Sequence, residues 1–125
     1  NSWFMYYDKS KYTEDEVLSL ETMMAKDLGE EVKNFSVDIN NGWYLSSFFF
    51  AGGGELFGPD GTDPNIVTFN DANGVEVANY LIDLVANPRF QDEDQNNILS
   101  MFENGSLAAA CSGTWNAQAI QDALG

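Results

Sequence analysis

The chain has 125 residues, 44% of them apolar, which suits one domain with a buried core and is too apolar for a disordered segment. Asp and Glu number 20 against 5 Lys and Arg, a formal charge of −15, so unaided binding to nucleic acid or to an anionic membrane surface is ruled out. There is no His and a single Cys, which removes imidazole chemistry, His-ligated metals, an internal disulfide and Cys-cluster zinc sites.

Trp3–Tyr7 is aromatic-rich and predicts a buried strand, with Trp3 in the core. Nothing in Asn1–Tyr7 looks like a signal peptide, because a basic region and a cleavage site are both missing. Thr13 and Glu16 form a capping box, and Val17, Leu20, Met24 and Leu28 follow at helical spacing. A helix is therefore expected over Glu14–Leu28, with Gly29 just past its end. Lys33–Ile39 alternates and predicts a second strand, broken by Asn40-Asn41-Gly42. Trp43–Ala51 reads as a buried apolar helix ended by Gly52-Gly53-Gly54; its apolar run is far short of the ~20 residues that span a membrane.

Gly58–Asn65 holds two prolines and reads as a surface loop, and Ile66–Phe69 as a short extended segment. Asn70 or Asp71 can cap a helix over Ala72–Ala86 that turns Val77, Leu81, Leu84 and Val85 to the core; Asn87-Pro88 stops it. Asp92, Glu93 and Asp94 open a further helix to Glu103. Leu107–Cys111 predicts a third strand, and Thr114 caps a last helix through Leu124. The order β-α-β-α-α-α-β-α predicts a single α/β domain over 1–125 with few strands and many helices. The chain opens in strand-like sequence and closes in helix-like sequence, as a piece of a longer protein would.

No catalytic arrangement beats its structural reading. Most acids sit at helix starts or on outward helix faces. The glycines at 52–58 match neither a dinucleotide fingerprint nor a phosphate loop. Asp60 and Asp63 fit no calcium-loop spacing, Ser112 has no base, and Cys111 reads as a small core residue. Asn34-Phe-Ser and Asn104-Gly-Ser match the short glycan-acceptor pattern. No enzyme activity, cofactor or metal is expected.

Two tryptophans recur in one context. Trp43, followed by Tyr44, and Trp115 each come after a strand and a polar break, where a helix begins. In open α/β sheets that edge is where ligands bind. An indole offers a flat apolar face and one N–H donor, which suits a sugar ring with its C–H face and hydroxyl rim. Asn40, Asn41, Thr114 and Asn116 can bond the hydroxyls. The two rings are expected along one open rim. The competing readings are core packing, or an aromatic edge that anchors a protein partner.

Several stretches, taken together, carry a family resemblance: Phe4-Met-Tyr-Tyr-Asp-Lys9 before the Thr13 helix, Asn41-Gly-Trp-Tyr44 through Ala51-Gly-Gly-Gly-Glu-Leu-Phe57, Phe69–Leu81, and Met101–Ala109 followed by Gly113-Thr-Trp115. Their order and spacing resemble the second lobe of the maltose/maltodextrin-binding proteins, the family-1 extracellular solute-binding proteins of ABC importers. The resemblance implies a periplasmic-binding-protein-like lobe, part of a two-lobe protein that binds carbohydrate and hands it to membrane permease subunits. It implies an extracytoplasmic place, in the periplasm or lipid-anchored at the outer face of the membrane, and a monomer. It puts Trp115, Trp43 and Tyr44 at the stacking aromatics, Asn41 at a polar sugar contact, and Gly113 at a turn that lets the ligand approach. Thr114 stands where the family has Pro, and Asn41 is neutral where some members are acidic. One lobe is half of a clamp; half of a micromolar binding energy, about 4 kcal/mol, corresponds to a roughly millimolar dissociation constant. Another small polar solute is the alternative ligand.

Overall fold

The computed structural model describes residues 3–51, 53–54, 59–60, 62–92 and 97–125. Strands are β1 (Trp3–Tyr7), β2 (Phe35–Ser36), β3 (Phe90–Gln91) and β4 (Ala109–Gly113). Helices are α1 (Leu20–Ala25), α2 (Gly42–Ala51), α3 (Ala72–Ala86), α4 (Ile98–Glu103) and α5 (Ala117–Leu124), with 3-10 turns at Glu16–Leu18 and Thr114–Asn116. The chain divides into two compact units, Asn1–Asp38 with Asn87–Gly125, and Ile39–Ala86.

The first unit is built on a four-stranded sheet in the order β1-β4-β2-β3. β4 consists of small residues buried along their whole length, which lets neighbours cover both of its faces closely. It pairs antiparallel with β1, from Trp3 opposite Gly113 to Tyr7 opposite Ala109, and parallel with β2 at Ser36 and Ala110. β2 pairs parallel with β3, and Phe35 packs on Phe90 with ring centroids 6.3 Å apart. A core of Ile98, Phe102, Leu107, Ala110 and Ile120 joins α4 and α5 to β4, with Tyr6 packed against it.

The sheet corrects several expectations. β1 is an edge strand, so it is not buried: Phe4 is exposed and Trp3 only half-buried. The expected helix over Glu14–Leu28 is broken. The capping box forms, with Glu16 Oε1 accepting from the Thr13 N–H at 2.9 Å and Thr13 Oγ1 from the Glu16 N–H at 3.2 Å. It opens only a 3-10 turn, because Ser19 is extended and its Oγ caps α1 afresh at the Thr22 N–H. α1 stops at Ala25 instead of Leu28 because Asn34 Nδ2 donates to the carbonyls of Met23 and Lys26, both at 2.7 Å. Asn34 is fully buried there, so a folded chain cannot present it as a glycan acceptor. β3 follows Pro88 where the sequence reading placed no element, and α4 begins at Ile98, well after Asp92; Glu93 and Asp94 lie outside the described residues.

The second unit holds α2 and α3. Asp71 is the cap of α3: its Oδ1 accepts from the Gly74 N–H at 2.8 Å. α3 has the expected bounds and buries Leu81 and Leu84, but Val85 is exposed. α2 ends with Gly53 at φ 90 and its N–H bonded to the Phe50 carbonyl at 3.0 Å, as helix-ending glycines do. The expectation that Trp43–Ala51 forms a buried helix does not hold, since only Tyr44 is buried and both Trp43 and Phe50 are exposed. Phe69 pins the unit, stacked on Phe49 at 5.3 Å and edge-on to Phe50 at 5.2 Å. Ile66–Phe69 adds no strand to the sheet.

Candidate functional site

In the first unit the candidates gather where β4 ends. The strand runs into the 3-10 turn Thr114–Asn116 and then α5, and Trp115 stands on that turn with 55% of its surface exposed. The turn is tied on both sides. Tyr6, from the neighbouring β1, donates its hydroxyl to the Gly113 carbonyl at 2.9 Å, and burial pushes that phenol's pKa up, keeping the donor proton in place. Asn116 Nδ2 donates to the Ser112 hydroxyl at 3.0 Å, so this side chain supports the mount of Trp115. Thr114 is exposed and makes no cap for α5; the expected helix start is taken by the 3-10 turn.

In the second unit the candidates gather at the start of α2. The Asn41 carbonyl accepts from the Tyr44 and Leu45 N–H groups at 3.1 and 3.0 Å, and its Oδ1 from the Trp43 N–H at 3.0 Å. Asn41 is thus the helix cap, and what it can offer a ligand is its Nδ2 donors. Trp43 is 42% exposed, while Tyr44 is 1% exposed and lies under it, ring centroids 5.3 Å apart and tilted by 52°. Asn40 is exposed beside them. The same unit has an open apolar hollow of about 480 Å³ lined by Phe49, Val67, Phe69, Gly74, Val75 and Ala78, which the sequence reading missed. Its signal was present in the exposed Val67 and Val75, but such residues are not distinguishable from core residues by type.

The electrostatics are structural. Asp8 is pushed up by burial, but the Lys11 ammonium at 2.6 Å and the Ser10 donors outweigh that and hold it below its ordinary value. The Thr13 N–H, then Lys26, holds Glu16 low. Both carboxylates are ionised salt-bridge partners. Asp63 Oδ1 closes its own turn onto the Asn65 N–H at 3.0 Å, and no metal-ligating cluster of three occurs among the described residues. The chemistry on offer is apolar stacking with a few neutral donors and acceptors.

Residues 1–125 match the family model described as bacterial extracellular solute-binding protein. No curated protein sequence matches the chain. A structure solved with acarbose is 41% identical, with a TM-score of 0.86, over 100% of this chain and 32% of the other. A maltodextrin-binding protein, MalE1 from L. casei BL23, solved without ligand, is 27% identical with a TM-score of 0.83, over 98% and 31%. MalX from Streptococcus pneumoniae, in complex with maltopentaose, is 26% identical with a TM-score of 0.72, over 97% and 36%. The chain therefore spans about a third of the length of each of these structures.

Proposed function

The chain belongs to the bacterial extracellular solute-binding proteins, and from that premise we propose that it supplies part of the second lobe of a carbohydrate-binding protein serving an ABC importer. The ligand class is the maltooligosaccharides. Support comes from relatives solved with acarbose and with maltopentaose, and from the kind of surface this chain offers.

The observation that carries the reading is Trp115. A large indole more than half exposed is costly to leave in water unless something covers it. Here it stands on a mount held by two hydrogen bonds, at the carboxyl end of a buried strand that runs antiparallel to β1 and parallel to β2. A pyranose covers an indole with its C–H face and satisfies its hydroxyls at the rim, where Thr114 lies. Trp43, supported from below by Tyr44, provides a second stacking face with Asn41 Nδ2 and Asn40 beside it. Binding and release do the work, with no bond made or broken, and the permease subunits are the partners to which ligand passes. Closure of the two-lobe protein excludes water from the stacked rings and strengthens the hydroxyl contacts.

Tryptophan fluorescence and calorimetric titration with maltopentaose test the reading. Saturable binding is expected, with Trp115→Ala weakening it about tenfold or more, on the order of 1.4 kcal/mol. Trp43→Ala is expected to weaken it less. Absence of any response to maltooligosaccharides rejects the ligand class, and full binding by both variants rejects the stacking site.

A further inference from the structure

The six-membered ring of Trp115 rests face-on over the α-carbon of Gly113, and we propose that this contact fixes the orientation in which the indole meets a ligand, making Gly113 a positioning residue. The role for a sugar rests on the carbohydrate reading above; the seat itself does not.

A Cβ placed on Gly113 would collide with Cη2, Cζ3 and Cζ2 of Trp115 at nearly equal separations. A point beyond the ring edge would be much farther from Cζ2 and Cζ3 than from the intervening Cη2. Near-equality therefore places it above the ring face. The glycine is not needed for the backbone: Gly113 has φ −77 and ψ 168, extended values that any residue adopts. Glycine at such a position is normally a liability, since it loses more chain freedom on folding than alanine does. What excludes a side chain here is the indole.

The seat is held in place from three directions. Tyr6 grips the Gly113 carbonyl, Trp3 faces Gly113 across the β1–β4 ladder, and Asn116 closes the far side of the turn onto Ser112. With one face laid on the backbone, Trp115 is still 55% exposed. A ring held this way before the ligand arrives loses less freedom on binding than one that must first be ordered.

Gly113→Ala in the full chain is the test, because the backbone conformation tolerates an alanine and the indole is what its methyl group meets first. In the wild type, one Gly113 Hα is expected far upfield by ring current, and Trp115→Ala is expected to return it to its ordinary position. Gly113→Ala is expected to keep the thermal midpoint, shift the Trp115 ring resonances, and weaken maltopentaose binding about 2- to 10-fold. An unshifted Gly113 Hα in the wild type overturns the proposal. So does a Gly113→Ala chain whose Trp115 resonances and maltopentaose affinity are unchanged, even where Trp115→Ala abolishes binding. A wild type that shows the upfield proton but ignores maltopentaose keeps the seat and rejects the carbohydrate reading instead.

Discussion

Asn34 and Tyr12 illustrate how single buried polar groups shape this chain. Asn34 Nδ2 takes two carbonyls at the end of α1, and the Tyr12 hydroxyl donates to the Asn34 carbonyl at 2.8 Å, with Lys26 above its ring. Burial, helped by the charge of Glu16, pushes the Tyr12 phenol up to about 12 from 10.0, and burial pushes the Cys111 thiol up to about 12 from 9.0. Both groups are neutral acids that the fold protects from ionising. The unfolded chain gives up these protons at lower pH than the folded chain does. Their contribution is therefore fully present below about pH 9 and is lost as pH rises from there to about 12. Denaturant midpoints measured from neutral to alkaline pH are expected to be flat and then to fall across that window, and Tyr12→Phe is expected to shallow the fall. A midpoint that stays level through the window would contradict the burial of both groups.

Among the elements, α3 and α1 give opposite lessons. The bounds of α3 were readable from its spacing, its Asp71 cap and the Asn87-Pro88 stop, because all of these act within a turn or two. The Thr13–Glu16 box was readable for the same reason, yet its helix ends early, since Ser19 recaps the chain and Asn34 claims carbonyls from another element. Gly74, in the first turn of α3, separates local preference from packing. Propensity alone makes Gly74→Ala favourable by about 1 kcal/mol. In the fold a Cβ at that position would collide with the Phe69 backbone carbonyl, which cannot swing away as a side chain can. Gly74→Ala is thus expected to destabilise by about 1–3 kcal/mol in chemical denaturation. An increase in stability would show that Phe69 moves freely. β3 escaped the reading because two residues carry no periodicity; Phe90 becomes a strand residue only because Phe35 lies beside it.

Charge acts on the chain in its entirety. A formal charge of −15 makes folding compress like charges into a smaller volume. Ion pairs such as Lys11–Asp8 and Lys26–Glu16 relieve this locally, and salt relieves it everywhere. Raising ionic strength from about 0.01 to about 0.15 M shortens the screening length from about 30 to about 8 Å. The thermal midpoint is expected to rise with it by about 3 °C, on the order of 1 kcal/mol. A midpoint independent of salt would mean that the acids are spread too widely to repel.

The letters of the chain were enough for its class, its longest helix, the exposed tryptophan after the last strand and the family whose segment order it shares. Each of those is a composition, a spacing or a cap, and each acts over a few residues. The edge position of β1, the break before α1, the burial of Tyr44 beneath Trp43 and the seat of Trp115 on Gly113 came only with the folded chain. Tyr6 and Gly113 are 107 residues apart. Contacts of that kind leave no periodic trace, because the partner of each group is chosen by how strands pair and not by what stands next to it.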